Sequence, residues 1–185
     1  MTEYYPGTVV KREGRSAADF LQSIFFTDSG LSMSQVKELC GLDSFMVQNW
    51  VSRGWVGKPQ NKRYYKDRFS RILLINMLRT VAKLEDIAKV LRYINGEANN
   101  PADDIIEEAE LYILLCDLFD RLEDSGLDIE RQVKDVTASY RGSDVFRATL
   151  ERGLTILAHW HMAAQYKAKA DKLLGEIISE ERLEF

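Results

Sequence analysis

The sequence predicts a mainly all-α fold: a helix-turn-helix unit followed by a helical bundle with a long C-terminal helix. Three observations lead to this prediction. Leu31 to Val56 contains two short amphipathic segments separated by Gly41. From residue 67 to 94, apolar residues recur at helical spacing in two further segments. Beyond residue 100 the chain reads as helix throughout, and its longest apolar stripe begins near Ser143.

The helix-turn-helix prediction rests on end signals as well as on apolar spacing. Ser32 is a good N-cap, and Gln35, three residues later, completes a capping box. Gly41 ends the first helix, and Asp43 or Ser44 caps the second. Two short capped helices joined by a tight turn are therefore expected between residues 31 and 54.

Charge is distributed unevenly along a chain whose net charge is −4. Seven basic residues and one acid lie between Arg53 and Arg71, in and around the aromatic-bearing loop GKPQNKRYYKDR. Twelve acids and three basic residues lie between Pro101 and Asp135. This asymmetry predicts a basic contacting face and an acidic body. The alternative is that the basic run is only a solvated face.

The remaining helices complete the predicted domain organisation. An amphipathic helix is expected from Ser16 to Phe26, ending at Asp28–Gly30, and two more from Asp67 to Val81 and from Leu84 to Ile94. Gly96 to Pro101 is the clearest boundary. The predicted units are an N-terminal helical extension, 1–30, a unit with the helix-turn-helix and the basic loop, 31–96, and a helical dimerisation or effector domain, 101–185.

Three helices are expected in the second half. They are a helix starting at Pro101 and running to about Asp124 before Gly126, one from Leu127 or Asp128, and the longest, from Ser143 to about Ile178. A helix of roughly 36 residues spans more than 50 Å at ~1.5 Å per residue, too long for a small domain to cover. It is a candidate dimerisation element; the alternative is a kinked helix folded back on its own domain.

The sequence offers few residues for catalysis or for binding a metal or a cofactor. Cys40 and Cys116 match no metal or redox spacing and are expected to be buried apolar residues. His159 and His161 point to different faces of one helix, and His161 is expected to be packed. We therefore expect no enzyme, no metal and no cofactor. With no apolar run near 18 residues and no leader, an intracellular protein without membrane contact is expected.

The order of these features carries a resemblance. The matching features are a capped helix, Gly41, a capped helix with Trp50, Arg53-Gly54, a loop with Arg63-Tyr64-Tyr65, a helix and then LEDIAKVL. The span from Leu31 to Ile94 resembles the DNA-binding domain of MerR-type winged-helix transcription regulators, and still more closely a MerR-like family of uncharacterised bacterial proteins. The resemblance implies a cytoplasmic, dimeric regulator with a small wing. Helix 44–53 would enter the major groove, and the 57–68 wing would grip phosphates.

Site residues follow from the resemblance position by position. It implies DNA contacts by Ser44, Met46, Gln48, Asn49, Arg53, Lys62, Arg63, Tyr65 and Lys66. Gln48 and Asn49 depart from the arginine and tyrosine common in these regulators, which removes a phosphate contact. Amides nevertheless suit bidentate pairing with adenine. Trp50 is expected in the core.

Several alternatives stay open at the level of sequence. Arg63 could make a surface salt bridge, and Gln48 and Asn49 could simply be solvated. The main alternative function is a protein-interaction adaptor that uses a winged-helix shape without binding DNA. A small-molecule effector is a third possibility. It depends on whether aromatic residues of the second half line a cavity rather than the core, namely Tyr112, Phe119, Tyr140 and Trp160.

Overall fold

A computed structural model describes residues 3–27, 29–125 and 128–181. The expected helix breaks at Asp28 and Gly126, and the start at Leu127, lie outside these ranges. The described residues form eight α-helices. They are α1 Ala17–Ile24, α2 Met33–Cys40, α3 Ser44–Ser52, α4 Lys66–Leu78, α5 Leu84–Asn95, α6 Glu108–Ser125, α7 Ile129–Thr137 and α8 Asp144–Glu181.

The mainly helical class predicted from the sequence is confirmed. In the described part of the chain, β-pairing is limited to isolated antiparallel bridges. None of the described helices combines the length and the apolar character that crossing a membrane requires. Most helix ends fall within a few residues of the predicted ends, because apolar spacing and caps are local signals.

The start of α6 is the clearest error of the sequence prediction. The helix begins at Glu108 rather than at Pro101. Residues 101–107 instead form turns, in which the Asn95 side chain accepts the N–H of Ile106 at 3.3 Å. The Asp67 carboxylate accepts the N–H of Ala109 at 3.0 Å. The cap is thus supplied from α4, far away in sequence, and local acids could not reveal it.

Helix α4 lies at the centre of the fold. Eight of its thirteen residues are buried, including Phe69, Ile72 and Leu73, and it packs against α2, α5, α6 and α8. The α1 helix packs on α6, a placement that the sequence left open. One hydrophobic cluster joins residues of α1 to α8, so the core continues across the predicted boundary at Gly96–Pro101. The domain limits themselves stay a prediction.

Helix α8 is continuous and divides into a packed part and a projecting part. Leu150, Leu154 and Leu157 are fully buried. Gly153 is also buried, and a Cβ there would lie 2.5 Å from the Ile94 side chain, so glycine lets α8 approach α5 closely. From Ala163 to Ser179 nearly every residue is exposed.

Several polar residues of the core are paired or stacked. Arg12 donates two hydrogen bonds to the Asp120 carboxylate, at 2.7 and 2.8 Å, which ties the N-terminal segment to α6. His161 stacks on Phe119 with ring centroids 3.6 Å apart, and burial lowers its pKa to about 4. Its expected packed role is confirmed, as are the buried, free thiols of Cys40 and Cys116.

Candidate nucleic-acid interface

Helices α2 and α3 begin and end as the sequence predicts. The Ser32 hydroxyl accepts the N–H of Gln35, and the Gln35 side chain accepts the N–H of Ser32 at 2.9 Å. Gly41 takes the left-handed conformation that closes α2, with φ of 63°. Of the two expected caps for α3, Asp43 is the one used: its carboxylate accepts the N–H of Phe45 at 2.7 Å.

The exposed face of α3 differs in one residue from the expectation. Val47 and Trp50 are buried, which confirms the core role of Trp50. Gln48 and Asn49 are exposed, but Met46 is half-buried and packs against the core. The expectation of an outward Met46 is therefore wrong, because at 100° per residue Met46 turns toward the Trp50 side of the helix. Ser44 is half-exposed at the first helical position.

Arg53, at the end of α3, is held by three neighbours. Its Nε donates to the Asn49 Oδ1 at 2.9 Å, and its NH1 lies 3.6 Å from the Glu85 carboxylate. The guanidinium also lies over the Trp55 ring, 5.0 Å from the centroid. Both Arg53 and Glu85 are exposed, so this arrangement is weak and open to competition from a ligand.

A tight hairpin follows. Gln60 and Arg63 exchange backbone hydrogen bonds of 2.9 and 2.7 Å, and the two residues between them, Asn61 and Lys62, have φ of 48° and 62°. Positive φ at both central positions defines a type I′ turn. Leu31 and Tyr64 exchange two further bonds of 2.8 Å each. The hairpin is thus fastened to Leu31, which precedes the N-cap of α2, and Lys62 lies at its tip.

Gly30 allows the hairpin to lie close to this segment. Its φ is +62°, and a Cβ there would lie 3.0 Å from the Cβ of Arg63 and 3.3 Å from the Tyr65 ring. The Arg63 NH1 donates to the Gly30 carbonyl at 3.4 Å, yet the residue is exposed, and Tyr65 is half-buried. Arg63 is thereby positioned while most of its donors face solvent.

The six basic residues that follow Arg53, up to Arg71, differ in exposure. Four are exposed and form no ion pair with the described residues: Lys58, Lys62, Arg63 and Lys66. Arg68 is half-buried beside Gly57. Arg71 is only 3% exposed and pairs with Glu108. Treating Arg71 as part of a basic surface is therefore wrong, since its charge is used inside the fold.

A polar seam joins the basic segment to α6. Arg71 donates to the Glu108 carboxylate through NH1 and to the Trp55 carbonyl through Nε at 3.1 Å. Asp67, the one acid among the basic residues, caps α6 through Ala109. Arg71 and Asp67 are therefore both engaged with α6, and the hairpin side of the segment keeps a positive charge.

Carboxylates crowd this seam. Burial raises the pKa of Glu108, although the Arg71 guanidinium opposes the shift. Asp104 lies in the same small cavity, and its pKa is raised to about 7, first by burial and then by the negative charges of Glu108 and Asp103. Near neutral pH Asp104 therefore changes charge beside the ion pair that joins α4 to α6.

Replacing Asp104 with asparagine should remove a pH-dependent loss of stability. The pKa of Asp104 is about 7 in the folded protein and has an ordinary value of 3.8. Between about pH 4 and 7 the folded protein therefore holds a proton that the unfolded chain has released, and the free energy of unfolding falls as pH rises through that window. We expect the Tm of Asp104→Asn minus that of the natural protein to grow from pH 4.5 to 7 and then level off. Glu107→Gln, an exposed acid of the same loop, controls for general charge loss. A difference that is constant with pH would contradict this assignment.

Two features of this surface were missed at the sequence level. Phe45 is exposed on α3 beside Gln48 and Asn49. A signal was present, because Val47, Trp50 and Val51 already complete the apolar stripe and leave Phe45 opposite it. The Asn61-Lys62 turn was also missed, since only asparagine hints at a left-handed conformation and lysine does not.

The arrangement of exposed cations can bind anions. No group of three or more His, Cys, Asp or Glu side chains that could hold a metal ion occurs within the described ranges. Tyr112 and Phe119 are buried in the core cluster. Trp160 packs on the core, and Tyr140 borders an open apolar groove beside Ile113 and Leu114.

Comparison with known proteins gives one match. The family described as "Domain of unknown function (DUF1836)" matches residues 21–114, from the second half of α1 into α6. No curated protein and no solved structure matches the chain. The matched segment covers about half of the 185 residues and includes α2, α3, the hairpin and the seam. The chain belongs to the DUF1836 family.

Proposed function

We propose that this protein binds double-stranded DNA as a dimeric transcriptional regulator built on a winged helix-turn-helix of the MerR type. In this proposal α3 enters the major groove, and the 57–68 segment acts as the wing on the phosphate backbone. The resemblance of residues 31–94 to MerR-type regulators motivates the proposal. The local geometry of α2, α3 and the hairpin supports it.

One observation carries the proposal: cations are exposed on the hairpin and at the start of α4. Lys62, Arg63 and Lys66 have no ion-pair partner among the described residues. The type I′ turn and the Leu31–Tyr64 bonds fix the backbone of Lys62 and Arg63, and Lys66 is the first residue of α4. Cations that the protein itself does not neutralise are free to contact DNA phosphates. Each such contact favours binding, because it releases a counterion from the DNA.

The amides of α3 are suited to reading bases. Gln48 forms no side-chain hydrogen bond with the described residues, and Asn49 is engaged only by the exposed Arg53. An amide can pair bidentately with adenine in the major groove. Arg53, released from Asn49 and Glu85, would then be available to a phosphate. In this proposal Gln48 and Asn49 read bases, while Arg53, Lys62, Arg63 and Lys66 contact phosphates.

The projecting part of α8 supports self-association. Four large aliphatic residues are exposed there: Leu173, Leu174, Ile177 and Ile178. They share one face, and the lysine–acid pairs Lys167–Asp171 and Lys172–Glu176 border it. A second copy of the same helix would cover this face. Such a dimer would present two α3 helices to half-sites one or more turns apart, and hence to a near-palindromic site.

A protein adaptor is the second candidate function. The observations that favour it are the exposed Phe45 ring and the acid Glu85 beside Arg53, since both are unusual on a surface that meets phosphates. Retention on heparin and on random-sequence duplex DNA at low salt separates the two functions. A DNA-binding protein is retained and released as salt rises, whereas an adaptor flows through.

Replacing Arg63 with alanine should weaken DNA binding on all sequences alike. Loss of one phosphate contact reduces the slope of log K against log salt by about one. Gel shifts at several salt concentrations measure this slope. Lys62→Gly should give a similar reduction, while Asn61→Gly changes the same turn without changing charge and should leave the slope intact. A change in base preference with an unchanged slope would contradict the assigned role of Arg63.

Placing a charge on the apolar face of α8 should separate the subunits. Leu174 is 55% exposed, so Leu174→Glu is tolerated by the monomer but buries a carboxylate in the proposed dimer. Light scattering after size-exclusion chromatography should show a dimer for the natural protein and a monomer for the variant. Ser179→Glu adds the same charge about 140° away on the helix and should leave the dimer intact. A natural protein that is monomeric would refute the proposed interface.

A further inference from the structure

Phe45 is an exposed aromatic residue in a fixed position. It lies in the first turn of α3 and is 73% exposed, whereas Phe69 and Phe119 are buried in the core. Its backbone N–H is held by the Asp43 carboxylate at 2.7 Å, which sets where the helix begins. A large apolar ring at the start of a capped helix, outside the core cluster, does nothing for the packing of its own chain.

The ring shares a stripe with the two amides. Phe45, Gln48, Asn49 and Ser52 follow i, i+3, i+4 and i+7 spacing, and all four are exposed. At 100° per residue they lie within one face of α3, opposite the buried Val47 and Trp50. The outward surface of α3 therefore combines one apolar ring with two amides, and its nearest cation, Arg53, is held by Asn49 and Glu85.

This combination matches the major-groove edge of A·T base pairs. Adenine presents an acceptor and a donor that suit an amide, and thymine presents a 5-methyl group that suits an apolar side chain. Guanine is usually read by an arginine or a lysine, and the stripe carries neither. We propose that Phe45 contacts a thymine methyl group and that the protein selects A·T pairs. This inference rests on the proposed DNA binding and names the class of site.

The position of Phe45 along the helix agrees with this role. In helix-turn-helix proteins the N-terminal residues of the second helix contact base edges. Phe45 is the second residue of α3, and Gln48 and Asn49 lie one turn further on. The cations of the hairpin, Lys62 and Arg63, supply the charge complementarity that a duplex needs and that α3 itself lacks.

Uracil substitution tests the inference because it removes only the methyl group and keeps every hydrogen-bonding atom of thymine. Duplexes bound by the full-length protein are first selected from a random pool, and A·T pairs should be enriched in them. Each selected thymine is then replaced by uracil. Burial of one methyl group is worth about fourfold in affinity, so uracil at the contacted position should weaken binding by about fourfold.

Phe45→Ala supplies the decisive comparison on the same two duplexes. This variant should bind the thymine and uracil duplexes equally. Because both proteins are measured on the same two duplexes, comparing their thymine-to-uracil ratios cancels any effect of the methyl group on DNA shape. Phe26→Ala removes another exposed ring, outside α3, and should keep the fourfold ratio. Thermal unfolding of both variants verifies that they are folded.

The possible outcomes separate this inference from the proposed function. If the natural protein binds both duplexes equally well at every position, the methyl contact is refuted while DNA binding stands. If Phe45→Ala keeps the fourfold ratio, Phe45 is not the residue that reads the methyl group. If the natural protein binds no duplex at low salt, the proposed function fails, and this inference fails with it.

Discussion

The buried ion pair between Arg71 and Glu108 is the constraint on which the arrangement depends. It joins α4, the central helix, to α6, and it sits where Asp67 caps α6. Buried charges are tolerated only when paired, and removal of one partner typically costs about 3–5 kcal/mol. The pair therefore fixes how the basic segment leaves the core. Arg71 and Asp67 both contact α6, and the cations that remain exposed in the segment are Lys58, Lys62, Arg63 and Lys66.

This division of charge reconciles an acidic protein with a polyanionic partner. Two acids of α6 are neutralised by basic partners that are themselves buried: Glu108 pairs with Arg71, and Asp120 pairs with Arg12. The exposed cations occupy a hairpin whose backbone is fixed by Tyr64. Net charge describes the whole surface, but a ligand meets only the field near its binding site. In that local sense the hairpin is basic although the chain carries −4.

Much of the fold could be predicted from the sequence, because its signals are local. The Ser32 capping box, the Asp43 cap and the apolar spacing each act within one helical turn. The start of α6 could not be predicted, since its cap comes from Asp67 on another helix. For the same reason the sequence counted Arg71 among surface cations. Met46 and Phe45 are adjacent apolar residues, and the helical stripe of Val47, Trp50 and Val51 already indicates that Met46 rather than Phe45 lies on the covered side.

Hydrogen–deuterium exchange with and without a random-sequence duplex, at low salt and with the duplex in excess, tests the central claim most directly. If the exposed face of α3 and the hairpin form the binding surface, exchange should slow at residues 44–53 and 59–66, where backbone amides of the turn are otherwise open to solvent. Exchange in the projecting part of α8 should be unchanged by the duplex. Slowing confined to α6, or none anywhere, would contradict the account.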